Sequence, residues 1–245
     1  LSSSILVVIG LYVRLKLAEA PIFVTALDKP QPKTLPMVEV IITHFKPFFL
    51  GMLICMAGYV LFYIMIAFSQ IYAKSAPTVS EAGYAMGLGF SPQIFTALLM
   101  CSAISLAITI AISGKYIDIV GRRIWLIWTT VGVALFGLVL PYFLENGTTL
   151  SLFWFLIIGM GLIGMGYGPL ASFLPELFPT HARYSGASLT YNIAGLFGAS
   201  VAAIIALPLN ANYGLKGVGI YLTLNAVLSL IGLWFITETR DRQLL

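Results

Sequence analysis

Residues 93–144 read "QIFTALLMCSAISLAITIAISGKYIDIVGRRIWLIWTTVGVALFGLVLPYFL". Two apolar runs, 93–113 and 124–144, flank a short charged stretch, and neither run contains an ionic side chain. As helices rising about 1.5 Å per residue, both are long enough to cross a hydrocarbon layer of roughly 30 Å. Between them, "GKYIDIVGRR" (114–123) gathers Lys115, Asp118, Arg122 and Arg123, in a chain of which only 9% is charged. The stretch thus reads as two membrane spans joined by a charged turn.

The same pattern continues outward. Full-length apolar runs recur at Phe48–Ala73, Leu150–Leu174, Ala187–Leu209 and Val218–Thr237, and a shorter one occupies Leu1–Val13. Hydrophobic residues make up 60% of the 245, and the mean hydropathy is +0.99. Soluble domains sit nearer 45–50% apolar, so the composition excludes an ordinary soluble domain. None of the runs alternates apolar with polar, and each far exceeds the ~9–11 residues of a barrel strand. Lipid offers backbone amides no partner, so the segments must be helices. Leu1–Val13 lacks the basic start and cleavage site of a signal peptide, and we read it as the end of a helix. The expected fold is an all-α, multi-pass membrane protein. Cys55 and Cys101 both fall within spans, which predicts two buried thiols rather than a disulfide framework.

Basic residues fix an orientation. Lys74 and Lys216 are the only members of the 13 lysines and arginines on one side of the alternating spans. Arg14, Lys16, Lys29, Lys33, Lys46, Lys115, Arg122, Arg123, Arg183, Arg240 and Arg242 share the other. Under the positive-inside rule that second side is cytoplasmic. It then holds residues 14–47, the 114–123 and 175–186 loops and the C-terminus. The 14–47 stretch contains "DKPQPK" (28–33) and reads as a linker. Nothing in the net charge of +4 forms a basic patch on a soluble domain, so nucleic acid is not an expected partner.

In the 114–123 stretch, Gly114 and Gly121 permit tight turns. Asp118 stands where a carboxylate would favour the amides that open the next helix. Arg122 and Arg123 can pair with carboxylates or carbonyl ends of neighbouring helices. Two readings fit these parts: an electrostatic latch that holds helix ends together in one conformation, or a solvated loop that only sets topology.

Polar residues inside the spans are costly, so they mark packing contacts or a watery path. Tyr59, Tyr63 and Gln70 share one stripe of the first full span, within about 40° on a regular helix. They either line a cavity or bond a neighbouring helix. Ser102, Ser105 and Thr109 form a second stripe that suits either substrate contact or helix packing. In "GMGLIGMGYGP" (159–169) glycines crowd before Pro169, around Tyr167, a pattern that indicates close packing, bending and a nearby substrate site. Thr190, Tyr191 and Asn192 lie near the basic end of the next span, and Asn192 could bond a carboxylate or cross-link helices. Asn225 in the last span is open to the same two readings. Every Asp and Glu lies in a loop or at a span end, so a titratable group for ion coupling cannot come from the core of these spans. His44 and His181 lie on the basic side, far apart in sequence, and no acid lies at depth, which argues against an intramembrane enzyme.

The motif Gly-x-x-x-Asp-x-x-Gly-Arg-Arg at 114–123 resembles the signature loop of the major facilitator superfamily, in its copy between helices 8 and 9. Residues 167–199, "YGPLASFLPELFPTHARYSGASLTYNIAGLFGA", are similar to the helix 10–11 region of its metabolite:proton symporter subfamily. Shorter matches are "RLKLAEAPIF" (14–23), with Ala20 where serine is expected, and "TETRD" (237–241). The resemblance spans essentially the whole chain and implies helices 6–12 of a twelve-helix fold. Residues 1–13 would end helix 6, residues 14–47 would be the central linker, and residues 48–245 would be a six-helix C-terminal bundle. It implies a symporter of small organic acids or related metabolites, such as shikimate, 2-oxoglutarate, citrate or proline/betaine. No cofactor is expected, and a proton gradient would supply the energy. The expected partners are a carboxylate or zwitterion, the lipid bilayer of a bacterial inner membrane, and an N-terminal six-helix half of the same chain. Expected substrate contacts are Tyr59, Tyr63, Gln70, Ser102, Ser105, Tyr167, Tyr191 and Asn192. The latch is expected at Gly114, Asp118, Gly121, Arg122, Arg123, Glu176 and Arg183. A seven-helix receptor is the competing reading.

Overall fold

The computed structural model describes Val7, residues 10–12 and residues 36–236. Val7 and residues 10–12 are helical. The rest of the expected helix end, residues 14–35 of the linker and the "TETRD" stretch lie outside the described residues. Helices follow along residues 36–236: α1 (Pro36–Thr43), α2 (Phe45–Lys74), α3 (Pro92–Val120), α4 (Arg122–Glu145) and α5 (Thr149–Glu176). A last helical stretch, Arg183–Phe235, is 53 residues long. At about 1.5 Å per residue this would far exceed one bilayer crossing. Gly214 breaks it, with φ 68° and ψ −171°. We therefore divide it into α6 (183–213) and α7 (215–235).

Side-chain contacts show that α6 and α7 run antiparallel. Thr190 near the start of α6 packs at Gly51, and Gly232 near the end of α7 packs at Leu50 and Ile54. Both ends thus meet the same end of α2. The turn between them sits at the opposite face. There, Asn210 Nδ2 donates to the Ala85 carbonyl at 3.0 Å and Ser80 Oγ donates to Ala211 at 2.7 Å. Tyr84 covers Gly214 itself, where a Cβ would come within 2.6 Å of the ring. The 75–91 loop is also tied back onto α2, through Leu88 N to Tyr72 O and Phe90 N to Ala73 O. The six full apolar runs fall on α2 to α7. One difference lies at the expected linker: α1 occupies Pro36–Thr43 and α2 begins at Phe45, so the described end of that linker is helical on both sides of His44.

Local chemistry sets the helix ends. Ser91 accepts from Ile94 N with Pro92 as the first helical residue, which suits α3. Thr148 accepts from Ser151 N to open α5. Two buried clusters fill the bundle. One, on the side of the 75–91 loop, includes Phe68, Phe95, Phe136, Leu140 and Phe155, with Phe136 and Phe155 stacked at 5.4 Å. The other, nearer the 177–182 turn, includes Ile54, Cys55, Phe173, Phe178 and Leu233.

Hydrophobicity does not itself hold helices together in lipid; close backbone approach does. The largest interhelical packing joins α3 to α5. Ser105 Oγ donates to Ile157 O at 3.0 Å, and Thr109 and Ser113 pack into Gly161, Gly164 and Gly168. A Cβ on Gly164 would sit 2.6 Å from the Leu106 carbonyl oxygen. Gly137 and Gly219 bring α4 and α7 equally close, beside Thr223 Oγ1 donating to Ala134 O at 3.0 Å. Cys101 departs from expectation: it is exposed on α3, whereas Cys55 is buried. Its neighbours Met100 and Ile104 are exposed too, because α3 lies at the edge of the bundle.

Candidate functional site

The charged stretch at 114–123 is not a loop. Residues 114–120 continue α3, and the chain turns only at Gly121, with φ 100° and ψ 139°. A side chain would be strained there. Gly114 makes no turn and has open space around it, which corrects its expected role. Asp118 does not cap α4 but lies in the last turn of α3, 73% exposed. It lies 3.7 Å from Arg122, one helical turn ahead in sequence. That position opposes the helix dipole, so Asp118 is not held for the stability of α3.

Arg122 opens α4, and its guanidinium is ion-paired with Glu176 at the end of α5. Both side chains are less than one-fifth exposed. Arg123 points elsewhere: Nε donates to Leu233 O at 2.8 Å and Nη2 to Trp234 O at 3.0 Å. It therefore caps the carbonyl end of α7, where a cation is favoured. The two adjacent arginines tie α4 to two different helices. Arg183 opens α6, but its half-buried guanidinium makes no ion pair among the described residues, and its Nε has no hydrogen-bond partner there. It is not part of the Arg122–Glu176 pair.

A second group lies on α2, α5 and α6. Tyr59 and Tyr191 rings stand 4.9 Å apart at 51°. Tyr167 of α5 lies beside Tyr191. Tyr167 is 54% exposed, and the other two are half-buried, so the trio reaches the bundle surface. The backbone around it is irregular. Wide π turns occupy Ile64–Phe68, just after Tyr63, and Leu196–Ser200, beside Tyr59. Gly195 and Gly198 allow the Tyr59 ring to lie against α6. Such wide turns recur at functional sites.

The wide turn in α2 also revises the expected stripe. One extra residue in a turn rotates all that follows by about 100°. Gln70 is exposed but no longer aligned with Tyr59 and Tyr63. Ser102 and Ser105 are likewise reassigned. Ser102 is fully buried with Oγ on its own Leu99 carbonyl at 2.7 Å, and Ser105 is bonded across to α5. Both serve helix packing, as does Thr109. Asn192 is exposed, with Nδ2 on Ser188 O at 2.8 Å, and Thr190 is buried on Gly186 O. Asn225 bonds Tyr221 O of its own helix. Of the expected substrate contacts, the structure brings together Tyr59, Tyr167 and Tyr191, with Tyr63 one turn along α2.

Sequence reasoning missed the Arg123 cap, because its acceptors are main-chain carbonyls far along the chain. It also missed Glu39, which lies 2.8 Å from His181. The separation in sequence is 142 residues, so no local spacing could have revealed the pair.

Residues 84–245 match the family described as "Sugar (and other) transporter". A Haemophilus influenzae protein named for metabolite transport is 88% identical over 244 residues, covering 100% of this chain and 55% of that protein. The Escherichia coli inner membrane metabolite transport protein YhjE is 38% identical over 99% of this chain and 54% of its own length. A proline/betaine transporter of Salmonella typhimurium is 26% identical over 97% of this chain and 47% of its own. The chain spans about half the length of these curated relatives. No solved structure matches it. These relatives bear transporter names and not enzyme names. The chain belongs to the sugar (and other) transporter family of the major facilitator superfamily.

Proposed function

We propose that this chain is the C-terminal half of a secondary active transporter, a proton-coupled symporter of small carboxylate or zwitterionic metabolites. An N-terminal six-helix half of the same chain would complete it. The basic ends of the helices, and the C-terminus, face the cytoplasm of a bacterium, across its inner membrane. The names of the relatives support a metabolite, and the proline/betaine transporter among them supports a zwitterion as one option.

The observation that carries the reading is the Tyr59–Tyr167–Tyr191 group. Three phenols from three helices meet at an accessible surface beside two wide backbone turns. Hydroxyls at depth need protein or water partners. Here they offer donors and acceptors to a polar solute passing between two halves. Substrate binding near the midplane, at the junction of halves, is the arrangement this architecture uses. No Asp, Glu, His, Lys or Arg lies at mid-span among the described residues, so we assign proton coupling to the other half.

The Arg122–Glu176 pair, with Arg123 on the end of α7, then acts on the balance of states. Such contacts stabilise the conformation in which the cytoplasmic helix ends are closed, and a state is favoured only by contacts it alone makes. Asp118, exposed at the same face, is free to meet the N-terminal half. The test is uptake of labelled organic acids and betaines by the full-length transporter in vesicles under an imposed proton gradient. Accumulation that collapses with an uncoupler supports the proposal. Gradient-independent uptake removes the proton coupling, and no movement of any such solute removes the substrate class.

A further inference from the structure

Glu39, His44 and His181 converge on the basic face from three separate places. Glu39 lies on α1, His44 sits at the joint of α1 and α2, and His181 is in the turn between α5 and α6. Each offers one ligand atom, and these atoms all lie within 4.8 Å of one another. The His44 and His181 rings are 6.4 Å apart and tilted by 57°. His181 Nε2 is 2.8 Å from Glu39 Oε1. The other carboxylate oxygen, Glu39 Oε2, is buried with no hydrogen-bond partner among the described residues. A buried carboxylate oxygen left without a partner is costly, and a cation is one way to satisfy it.

We propose that Glu39, His44 and His181 form a binding site for a borderline-soft divalent cation of the Zn²⁺ type. The donor set is the decisive chemistry. Two imidazoles and one carboxylate suit Zn²⁺ and its neighbours, whereas Mg²⁺ and Ca²⁺ take all-oxygen sites. Bonds of about 2.0–2.2 Å place tetrahedral ligands roughly 3.3–3.5 Å apart, so the cluster closes around an ion with side-chain movement alone. Three protein ligands leave a fourth position for water, and the half-exposed His181 provides the way in. A bound ion would fasten α1 to the α5–α6 turn. That turn begins where Glu176 holds Arg122, so the ion would stiffen the same face without belonging to the pair. The site stands independently of what the protein transports.

The experiment is binding of Zn²⁺ and Co²⁺ to the purified, tag-free full-length transporter in detergent. The expected result is one ion per chain, with the visible absorption of a tetrahedral cobalt centre carrying nitrogen ligands. His181→Ala and Glu39→Gln each weaken binding at least tenfold while the thermal midpoint of the ion-free protein stays within a few degrees. Absence of binding overturns the proposal. So does binding that survives both substitutions, or a cobalt spectrum of an all-oxygen octahedral site. If His181→Ala destabilises the protein, His44→Gln, at the helix joint, provides the second reading: unchanged affinity there overturns the site as drawn.

Discussion

Arg122, the first residue of α4, is ion-paired with Glu176, the last residue of α5, and both side chains are more than four-fifths buried. The two residues sit at helix ends on the face that carries most of the basic residues. Attraction and desolvation are both large for such a pair, so its net worth is small compared with the cost of breaking it.

Glu176→Gln therefore leaves a mostly buried guanidinium with only the exposed Asp118 carboxylate as counter-charge, at a cost of about 2–4 kcal/mol. The expected readouts are a lower thermal midpoint in detergent and slower transport. Arg122→Glu combined with Glu176→Arg should recover part of both. A double-mutant cycle whose coupling energy is zero would show that the pair does not act as a unit.

Asp118 stands apart from that pair in one respect, its 73% exposure. An exposed carboxylate 3.7 Å from Arg122 contributes less than about 1 kcal/mol. Asp118→Asn should leave the thermal midpoint nearly unchanged. If Asp118 meets the other half during the transport cycle, the same substitution slows the maximal rate severalfold with little change in KM. A normal rate would confine Asp118 to topology.

Gly114 and Gly121 end the same motif, yet only one of them bends the chain. Gly121→Ala forces a side chain into φ 100° and should cost about 1–2 kcal/mol. Gly114→Ala meets nothing within 4 Å and replaces a helical glycine, so it should gain up to about 1 kcal/mol. Thermal unfolding of the two variants should move in opposite directions. Equal effects would contradict the helix assignment of residues 114–120.

These two glycines show what a sequence can and cannot carry. The spans were legible because a bilayer sets a minimum apolar length, and even the break at Gly214 falls in the gap between the runs ending at Leu209 and starting at Val218. The arginines were legible as a cluster, since charge is scarce. Their partners were not: Glu176 and the carbonyls of Leu233 and Trp234 come from remote segments. The wide turn at Ile64–Phe68 has no residue signature in "IMIAF", so Gln70 read as aligned with Tyr63. Ser102 and Ser105 misled for another reason. A hydroxyl stripe looks the same in sequence whether it faces a solute or a glycine groove.

Gly164→Ala tests that groove. Its Cβ would press on the Leu106 carbonyl oxygen at 2.6 Å, backbone that cannot yield as a flexible side chain would. α3 and α5 must separate, and a loss of about 1–3 kcal/mol is expected. Ser105→Ala, which removes one interhelical hydrogen bond, should cost only about 0.6 kcal/mol. Transport by Ser105→Ala at a normal KM is the expected outcome, and a KM raised tenfold would return Ser105 to the substrate path.

The tyrosine group gives the sharpest separation of packing from transport. Tyr191→Phe keeps the ring that stands 4.9 Å from Tyr59 and removes only the hydroxyl. Shape is conserved, so stability should fall by no more than about 1 kcal/mol. If a solute exchanges hydrogen bonds with this hydroxyl, its loss weakens binding by about 0.5–1.5 kcal/mol, or roughly 2- to 13-fold in affinity. Tyr167→Phe, at the exposed position, should weaken binding similarly while leaving the fold untouched. The measurement is substrate affinity of both variants alongside their thermal midpoints. Unchanged affinity in both, with a lowered midpoint in Tyr191→Phe alone, would make the trio a helix clasp and move the solute path elsewhere on the bundle.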